Sequence, residues 1–374
     1  MLLCLVFPFF LSGCWDAVEL QQRAIVLMIG IDPSPEATGD VRVTLQLARP
    51  QQLSTPPKPE TTSGENSTVV IAENGADVSE AVRKIQLATD RKLFFEHVRA
   101  IVVNQAVAKH GMLPMFDSIV QARIAPRDAW LFVSSNSAQE VLGYAPALDA
   151  IPSTYLTNFF ENRLLLNRSY DATIGGFHQR LLTPGVEPFA IWVGPGIKEF
   201  SAPGLKGIAA FSGDKFVGGL DQQEALGWQF ITNQFPRSLL TLTCPASRST
   251  TFVVNVRSVK SSITVAKDGA SAPHASIQVR VKGWIEGGGC VTESSPEELD
   301  TLTRQVEKEV GAMVKSSIMQ SQTFDSDLFG FGKKLYLFTP RNWQGDTKWR
   351  QAFHKLTVTV KVDAQLAFLQ TYQK

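Results

Sequence analysis

The chain has 374 residues, which is enough for two or three domains of ordinary size. Hydrophobic residues make up 44% and charged residues 19%, so a sizeable core is expected and a wholly disordered chain is excluded. The net charge is +1 and no long basic or acidic run occurs, which argues against nucleic-acid binding and against a polybasic patch for anionic lipids.

Residues 1–14 are predicted to be a lipoprotein signal peptide. Met1–Leu11 is nearly all apolar, but it is shorter than the ~20 residues that span a bilayer. Leu11-Ser12-Gly13-Cys14 then fits the lipobox, in which two small residues precede a cysteine whose thiol accepts diacylglycerol. Cys14 is therefore the predicted lipidation site; the alternative is a buried N-terminal strand with an inert cysteine. Because no Lys or Arg precedes the apolar run, we expect a charged stretch upstream.

The region 15–185 alternates strands and helices and is predicted to be an N-terminal α/β domain. Its predicted strands are Ala24–Asp32, Val41–Ala48, Thr68–Ala72, His97–Asn104 and Ala129–Ser134. Four helical regions are predicted. The first begins at Asp77 or Ser79, and the second is Gln105–Arg123, interrupted near Gly111. The third is Ala138–Gly143, capped by Ser137, and the fourth is Tyr170–Leu182. The polar, proline-rich stretch 49–66 is predicted to be a loop.

Two further domains are predicted, 186–286 and 287–374. The middle one begins with the strand Glu187–Val193, the hairpin Leu205–Leu220 and a helix capped by Asp221. It continues with alternating, antiparallel strands over Ser238–Ile285 that have one wet face. The C-terminal domain is predicted to contain a long helix from Ser295 to about Gln322, a shorter helix Asp346–Leu356 and a closing strand Thr357–Leu369. The whole is predicted to be an α+β protein with largely antiparallel sheets.

A search for reactive groups predicts no catalytic residue, metal ligand or cofactor site. The histidines are never paired at i,i+4, and each is more typical of a surface or core residue than of a ligand: His97, His110, His178, His274 and His354. Neither a GxSxG elbow nor a phosphate-cradling glycine motif occurs in the required context.

Cys244 and Cys290 lie at the ends of strand-like segments, and outside the cytoplasm they form either a disulfide or two separate buried thiols. Sequence alone leaves both alternatives open. Near the C-terminus, aromatic residues occur close to two arginines: Trp343, Trp349 and Phe353 with Arg341 and Arg350. A ligand-stacking cluster is one interpretation, but packing of the last helix against the sheet is favoured.

Four segments, in order, resemble the Ger(x)C family, the C-subunit lipoproteins of bacterial spore germinant receptors. They are Gly13-Cys14-Trp15-Asp16 with Glu19-Leu20 and Ala24–Asp32; Leu205–Leu220 with the helix of Glu224 and Gly227; Asp325–Gly332; and Asn342-Trp343 with Trp349, Phe353 and Val358–Val362. The short, uncharged leader, the proline-rich loop 49–66 and the two cysteines Cys244 and Cys290 depart from the family pattern.

The resemblance implies a three-domain α+β protein on the outer leaflet of the spore inner membrane, held there by its lipid anchor. It implies that the partners are the receptor's A subunit and its polytopic B subunit, and that the complex responds to nutrient germinants. It implies no enzymatic activity and no cofactor. An extracytoplasmic solute-binding lipoprotein that captures a nutrient itself is the alternative, and a cell-wall hydrolase is a third hypothesis for which no carboxylate pair is found.

Overall fold

A computed structural model describes residues 22–36, 38–49, 67–144, 151–161, 172–196, 203–266, 273–292 and 294–369. The predicted signal peptide with Cys14 and nearly all of the proline-rich loop lie outside the described residues. Within these ranges, no helix combines the length and the apolar character that crossing a bilayer requires.

The first sheet contains nine strands among the described residues. In chain order they are β1 (Arg23–Pro33), β2 (Val41–Ala48), β3 (Thr68–Gly75), β4 (Lys92–Phe94), β5 (Ala100–Asn104), β6 (Trp130–Ser134), β7 (Phe189–Pro195), β8 (Pro203–Ser212) and β9 (Lys215–Leu220). Their order in space is β3-β2-β1-β5-β6-β7-β8-β9, with β4 beside β1. The central strands β1, β5, β6 and β7 are parallel, whereas the pairs toward both edges are antiparallel.

Helices connect the strands and cover the sheets. They are α1 (Val78–Ala88), α2 (Gln105–His110), α3 (Leu113–Gln121), α4 (Ala138–Gly143), α5 (Pro152–Glu161), α6 (Ile174–Leu181), α7 (Gln222–Thr232), α8 (Pro296–Thr323), α9 (Phe331–Phe338) and α10 (Asp346–His354). Because α2 and α3 return the chain to the start of β6, and α4 to α6 to the start of β7, these strands run parallel. β6 is buried at every position, as expected for a strand covered on both faces.

The second sheet is formed by β10 (Ser238–Cys244), β11 (Ser247–Ala266), β12 (His274–Gly288) and β13 (Thr357–Phe368). The first three strands are antiparallel, and β13 is parallel to β12 because α8 to α10 return the chain before it enters the sheet. Along β12, buried and exposed residues alternate, and the buried ones pack with the apolar stripe of α8. One face of this sheet is therefore covered and the other is not.

A continuous apolar core joins the two sheets. It extends from one face of the first sheet, at Phe132 and Ile191, to the covered face of the second sheet, at Val279. α7 lies between them, and its fully buried Trp228 packs edge-on against Phe189 with ring centroids 4.8 Å apart. A second core covers the opposite face of the first sheet.

The predicted α+β class is confirmed, and most predicted strands and helices are present. The Asp77, Asp221 and Ser295 caps are also confirmed, each accepting a hydrogen bond from the backbone N–H three residues later. The Ser137 cap is wrong, because its side chain makes no capping bond and the carboxylate of Asp32 accepts the N–H groups at the start of α4 instead. The sheets are also more mixed than the largely antiparallel arrangement that the sequence predicts.

The division into domains 15–185, 186–286 and 287–374 stays a prediction, and the sheets do not follow it. Strands β7 to β9 fall in the predicted middle domain but complete the first sheet, while β10 to β12 belong to the second. β7 reaches the first sheet by parallel pairing with β6, a long-range contact that local patterns do not encode.

Candidate functional site

A buried carboxylate, that of Asp327, lies in the loop between α8 and α9, and the residue is 1% exposed. It accepts hydrogen bonds from four backbone N–H groups and one indole, those of Phe329 (3.2 Å), Gly330 (2.8 Å), Phe331 (3.2 Å), Gly332 (2.8 Å) and Trp349 Nε1 (2.9 Å). The start of a helix presents unpaired N–H groups and a positive dipole end. A single carboxylate therefore organises the start of α9 and fixes α10 beside it.

Burial shifts the pKa values of two groups in this region in opposite senses. It raises the pKa of Asp327 to about 6, although the hydrogen bonds from Gly332 and Trp349 oppose the rise. It lowers the pKa of Arg180 to about 10, against the attraction of Asp327 and Glu187. Arg180 therefore remains a cation at neutral pH, in a partly buried position.

Glu187, just before β7, connects three parts of the chain. Its carboxylate accepts a hydrogen bond from Arg350 Nε and another from the N–H of Gly213, each at 2.6 Å. The Arg180 guanidinium donates to the carbonyls of Glu187 at 2.9 Å and Leu328 at 2.7 Å. We call Arg180, Glu187, Asp327, Trp349 and Arg350 the Asp327 junction. It ties the β8–β9 hairpin and the start of β7 to the segment that leads into the second sheet.

A second polar cluster lies at the carboxyl ends of the central strands β1, β5 and β6. The carboxylate of Asp32 accepts hydrogen bonds from the backbone of Ala138 and Gln139, the hydroxyl of Ser137 and the amide of Asn104, at 2.8–3.1 Å. Asp32 thus fixes α4 against the edge of the sheet, where α/β proteins commonly bind ligands. Its partners here all come from the protein.

An open cavity of about 310 Å³ lies beside this cluster, at the ends of β6 and β7. It is lined by Asn136, Glu140, Val141, Gly143, Tyr144, Gly194, Pro195 and Pro203. The volume is at the lower limit of what encloses a small molecule. A carboxylate, an amide and a phenol are the polar side chains that it offers to a solute.

The structure joins Cys244 and Cys290 in a disulfide, with an S–S distance of 2.06 Å. It ties the end of β10 to the turn that follows β12. Cys14 lies outside the described residues, so the structure does not test its lipidation. Within the described ranges, His, Cys, Asp and Glu side chains form no group of three that could hold a metal ion.

The C-terminal aromatic residues pack together. Trp349 and Phe353 are buried, with ring centroids 6.3 Å apart, and Trp343 lies 6.2 Å from Trp349. The Trp349 indole binds Asp327, and Arg350 forms an ion pair with Glu187. These aromatic side chains therefore pack within the protein, which is the alternative that the sequence favours over ligand stacking.

Sequence reasoning missed the roles of Asp327, Glu187 and Arg180. Asp327 does lie in the segment Asp325–Gly332 that carries the family resemblance, and the glycines after it are a local sign that a backbone closes around it. Glu187 and Arg180 have no comparable local sign, because the partners of each include residues far away in the chain.

Comparison with known proteins covers nearly the whole chain. Residues 16–194 match the family model "spore germination protein N-terminal domain", and residues 206–367 match "spore germination B3/GerAC like, C-terminal". Spore germination protein KC of Bacillus subtilis is 20% identical over 378 residues, covering 95% of this chain and 92% of that protein. Putative spore germination protein YfkR of the same organism is 22% identical over 342 residues, covering 88% and 85%.

A solved structure has a similar fold. The crystal structure of the GerBC protein aligns with a TM-score of 0.53 at 14% identity, covering 90% of this chain and 96% of that one. At this level of identity the likeness concerns the fold alone.

Proposed function

The chain belongs to the GerAC-like family of spore germination proteins, and on that premise we propose that it is the lipid-anchored accessory subunit of a spore germinant receptor. It acts on the outer leaflet of the spore inner membrane, in contact with the receptor's A and B subunits, during nutrient-triggered germination. The observation that carries the proposal is the match of both family models, in order, through residues 16–367.

The buried carboxylates form their hydrogen bonds with groups of the same chain, which supports a role in binding rather than in catalysis. A general acid or base must reach a substrate proton. Asp327, the group with the most favourable pKa, is instead enclosed by five hydrogen-bond donors from its own chain. Glu187 is held by Arg350 and the backbone of Gly213. We therefore propose that the subunit has no enzymatic activity and supports its partners as a rigid body.

Lipidation of Cys14 is the second part of the proposal. Nine residue steps separate Cys14 from Arg23 at the start of β1. Such a tether reaches at most about 30 Å when fully extended. A diacylglycerol at Cys14 would therefore keep the folded body next to the bilayer, within reach of membrane-embedded partners.

The experiment replaces Cys14 with Ala in spores that carry this receptor. We expect the Cys14→Ala protein to be lost from the inner-membrane fraction after a high-salt wash, which removes proteins held by charge alone, and the response to the receptor's germinants to fall. The matched control is Cys4→Ala, a cysteine within the apolar leader. It should leave both membrane retention and germination unchanged.

Normal membrane retention together with full germination of the Cys14→Ala spores would contradict the proposal. Purification of the wild-type protein from spore membranes tests the partner contacts separately. Absence of the A and B subunits from the purified material would reject the receptor assignment.

The cavity beside Asn136 and Glu140 supports the second candidate, a lipoprotein that captures a solute itself. Its polar groups would bind a small molecule that carries hydrogen-bond donors or a positive charge. Titration calorimetry with amino acids and sugars tests this function, with Glu140→Gln as the variant that should weaken binding. If no solute releases or absorbs heat, this candidate is rejected.

A further inference from the structure

The uncovered face of the second sheet carries a concentration of positive charge. Among the described side chains of β11 to β13, five basic residues lie on this face or at its bulge, and all are exposed: Arg257, Lys260, Arg280, Lys282 and Lys361. The acidic residues on the same face are Asp363 and Glu286. We call this surface the cationic face. Its excess of positive charge contrasts with the near-neutral chain as a whole.

Strand register brings these cations together. Lys260 lies directly opposite Arg280 on the neighbouring strand, and Ser258 lies opposite Lys282. Gln278 lies opposite Lys361 across the parallel pair of β12 and β13. Like charges placed directly opposite one another destabilise a sheet. The Lys260–Arg280 pair is therefore unfavourable. Asp363, which lies opposite Arg280 on β13, offsets part of that cost, and an anionic partner would offset more.

The sequence predicts no polybasic patch, because no basic run occurs, and in this respect the fold corrects it. β12 contributes Arg280 and Lys282 at alternate positions, and β11 contributes Lys260 and, at a bulge, Arg257. Lys361 comes from a strand about 80 residues later that pairs with β12 in parallel. Along each strand the basic residues are separated by other residues, so no basic run occurs in the sequence. Strand pairing brings them next to one another on one face of the sheet. Only the topology reveals the surface.

The remaining residues of the face indicate the kind of partner. They are mainly hydroxyl and amide side chains, such as Ser258, Ser262, Thr264, Ser276 and Gln278. The centres of protein–protein interfaces are enriched in aromatic residues and depleted in Lys and Ser. An exposed sheet face with cations and hydroxyl donors instead suits a surface of phosphate oxygens. Trp284 lies near one end, beneath the Arg257 guanidinium, 4.9 Å from its ring centroid.

We propose that the cationic face docks the protein on the anionic headgroups of a bilayer. The proposal extends the lipid anchoring proposed for Cys14, but it rests on different residues. A lipid at Cys14 does not by itself select an orientation of the folded body, whereas a charged face does. The sheet would then lie against the headgroups, with α8 on the side away from the membrane.

The test measures binding to vesicles by flotation, using the chain from Trp15 onward, which contains every described element and lacks the lipid. Vesicles of phosphatidylcholine alone are compared with vesicles that also contain phosphatidylglycerol. We expect binding to the anionic vesicles only, and we expect it to weaken as salt is added. In the variant Lys260→Glu/Lys282→Glu/Lys361→Glu, binding should fall at least about a hundredfold, because each lost lysine costs roughly a fivefold factor and each new carboxylate adds repulsion.

The matched control makes the same change of net charge on the opposite side of the second sheet. Lys308→Glu/Lys315→Glu/Lys348→Glu replaces exposed lysines of α8 and α10. It should retain most of the binding to anionic vesicles. Thermal melting checks that both variants are folded, and Lys260→Glu is expected to fold well because it faces Arg280 across the strands.

Three results would overturn the proposal. They are equal binding to neutral and anionic vesicles, equal loss in the test and control variants, or no binding of the wild-type chain to anionic vesicles. The last would point to an acidic protein as the partner of this face. None of these results bears on Cys14, because the chain used here carries no lipid. The two proposals therefore fail separately.

Discussion

The two sheets of the molecule differ in how they meet water. The first sheet is covered on both faces, and its central strands are apolar along their length. The second sheet is covered on one face by α8, and its β12 alternates strictly over most of its length. Parallel strands need helical crossovers, which cover both faces, whereas an antiparallel meander can leave one face wet.

This difference determines what charged residues do in each region. Near the first sheet, the carboxylates of Asp32 and Glu187 are buried and bind backbone groups or side chains of the same chain. On the second sheet, Lys260, Lys282 and Lys361 point to solvent. The charged groups of the first region thus hold its own chain together, whereas those of the second sheet are exposed to solvent. The junction between the sheets determines whether the second is held firmly on the first.

Replacing Asp327 with Asn should have the largest effect on that junction. An amide nitrogen in place of Oδ2 would face both the N–H of Gly332 and the indole N–H of Trp349, and the charge that attracts Arg180 would be lost. We expect the free energy of unfolding to fall by about 3–5 kcal/mol, as for other broken buried networks. Chemical denaturation followed by tryptophan fluorescence measures it.

Asp325→Asn is the matched control, because this neighbouring carboxylate is half exposed and contacts the exposed His354. It should change the free energy of unfolding by less than about 0.5 kcal/mol. If the two variants are equally stable, Asp327 does not organise the junction.

Removing the disulfide tests the second sheet alone. Cys244 and Cys290 close a loop with a sequence separation of 46 residues, so their replacement by Ser in the double variant should cost about 2–4 kcal/mol. Denaturation with and without dithiothreitol provides the control. The reductant should destabilise the wild-type protein and leave the double variant unchanged. An equal response of the two proteins would show that the cysteines are not joined.

A pair of helical glycines tests the close packing between the sheets. A Cβ on Gly227 of α7 would lie 2.2 Å from the carbonyl oxygen of Met313 on α8, so Gly227→Ala should destabilise the protein by about 1–3 kcal/mol. A Cβ on Gly311 of α8 would meet Val362 at 3.7 Å, an ordinary contact. Gly311→Ala should therefore be neutral or stabilising, by up to about 1 kcal/mol. Thermal unfolding of the two variants measures whether each one is less or more stable than wild type.

Local chemistry was enough to predict much of the fold. Three kinds of feature depend on residues within a few positions of one another. They are the caps at Asp77, Asp221 and Ser295, the hairpin Leu205–Leu220 and the alternation along β12. Such features follow from hydrogen bonds and burial periods that a short segment contains.

Long-range contacts explain what sequence reasoning missed. Asp32 replaces Ser137 as the cap of α4 although 106 residues separate it from Ala138. Asp327 becomes a buried centre only when Trp349 of α10 folds back onto it. The cationic face needs the parallel entry of β13 beside β12. In each case the partner was visible in the sequence, but the pairing was set by topology.

The pH dependence of stability gives the smallest and most specific test of the junction. Burial raises the pKa of Asp327 from 3.8 to about 6, so the folded state binds this proton more tightly than the unfolded state. The resulting stability is fully present below the unfolded pKa and is lost as the pH rises through about 6. Between about pH 7.5 and about pH 5, wild type should gain about 1 kcal/mol relative to Asp327→Asn, which has no proton to bind. Chemical denaturation of both proteins at each pH measures the gap between their free energies of unfolding. Because the other carboxylates are the same in both proteins, their contribution cancels in this difference. A gap that narrows as the pH falls would mean that the five donors outweigh burial and that the carboxylate is held in its charged form.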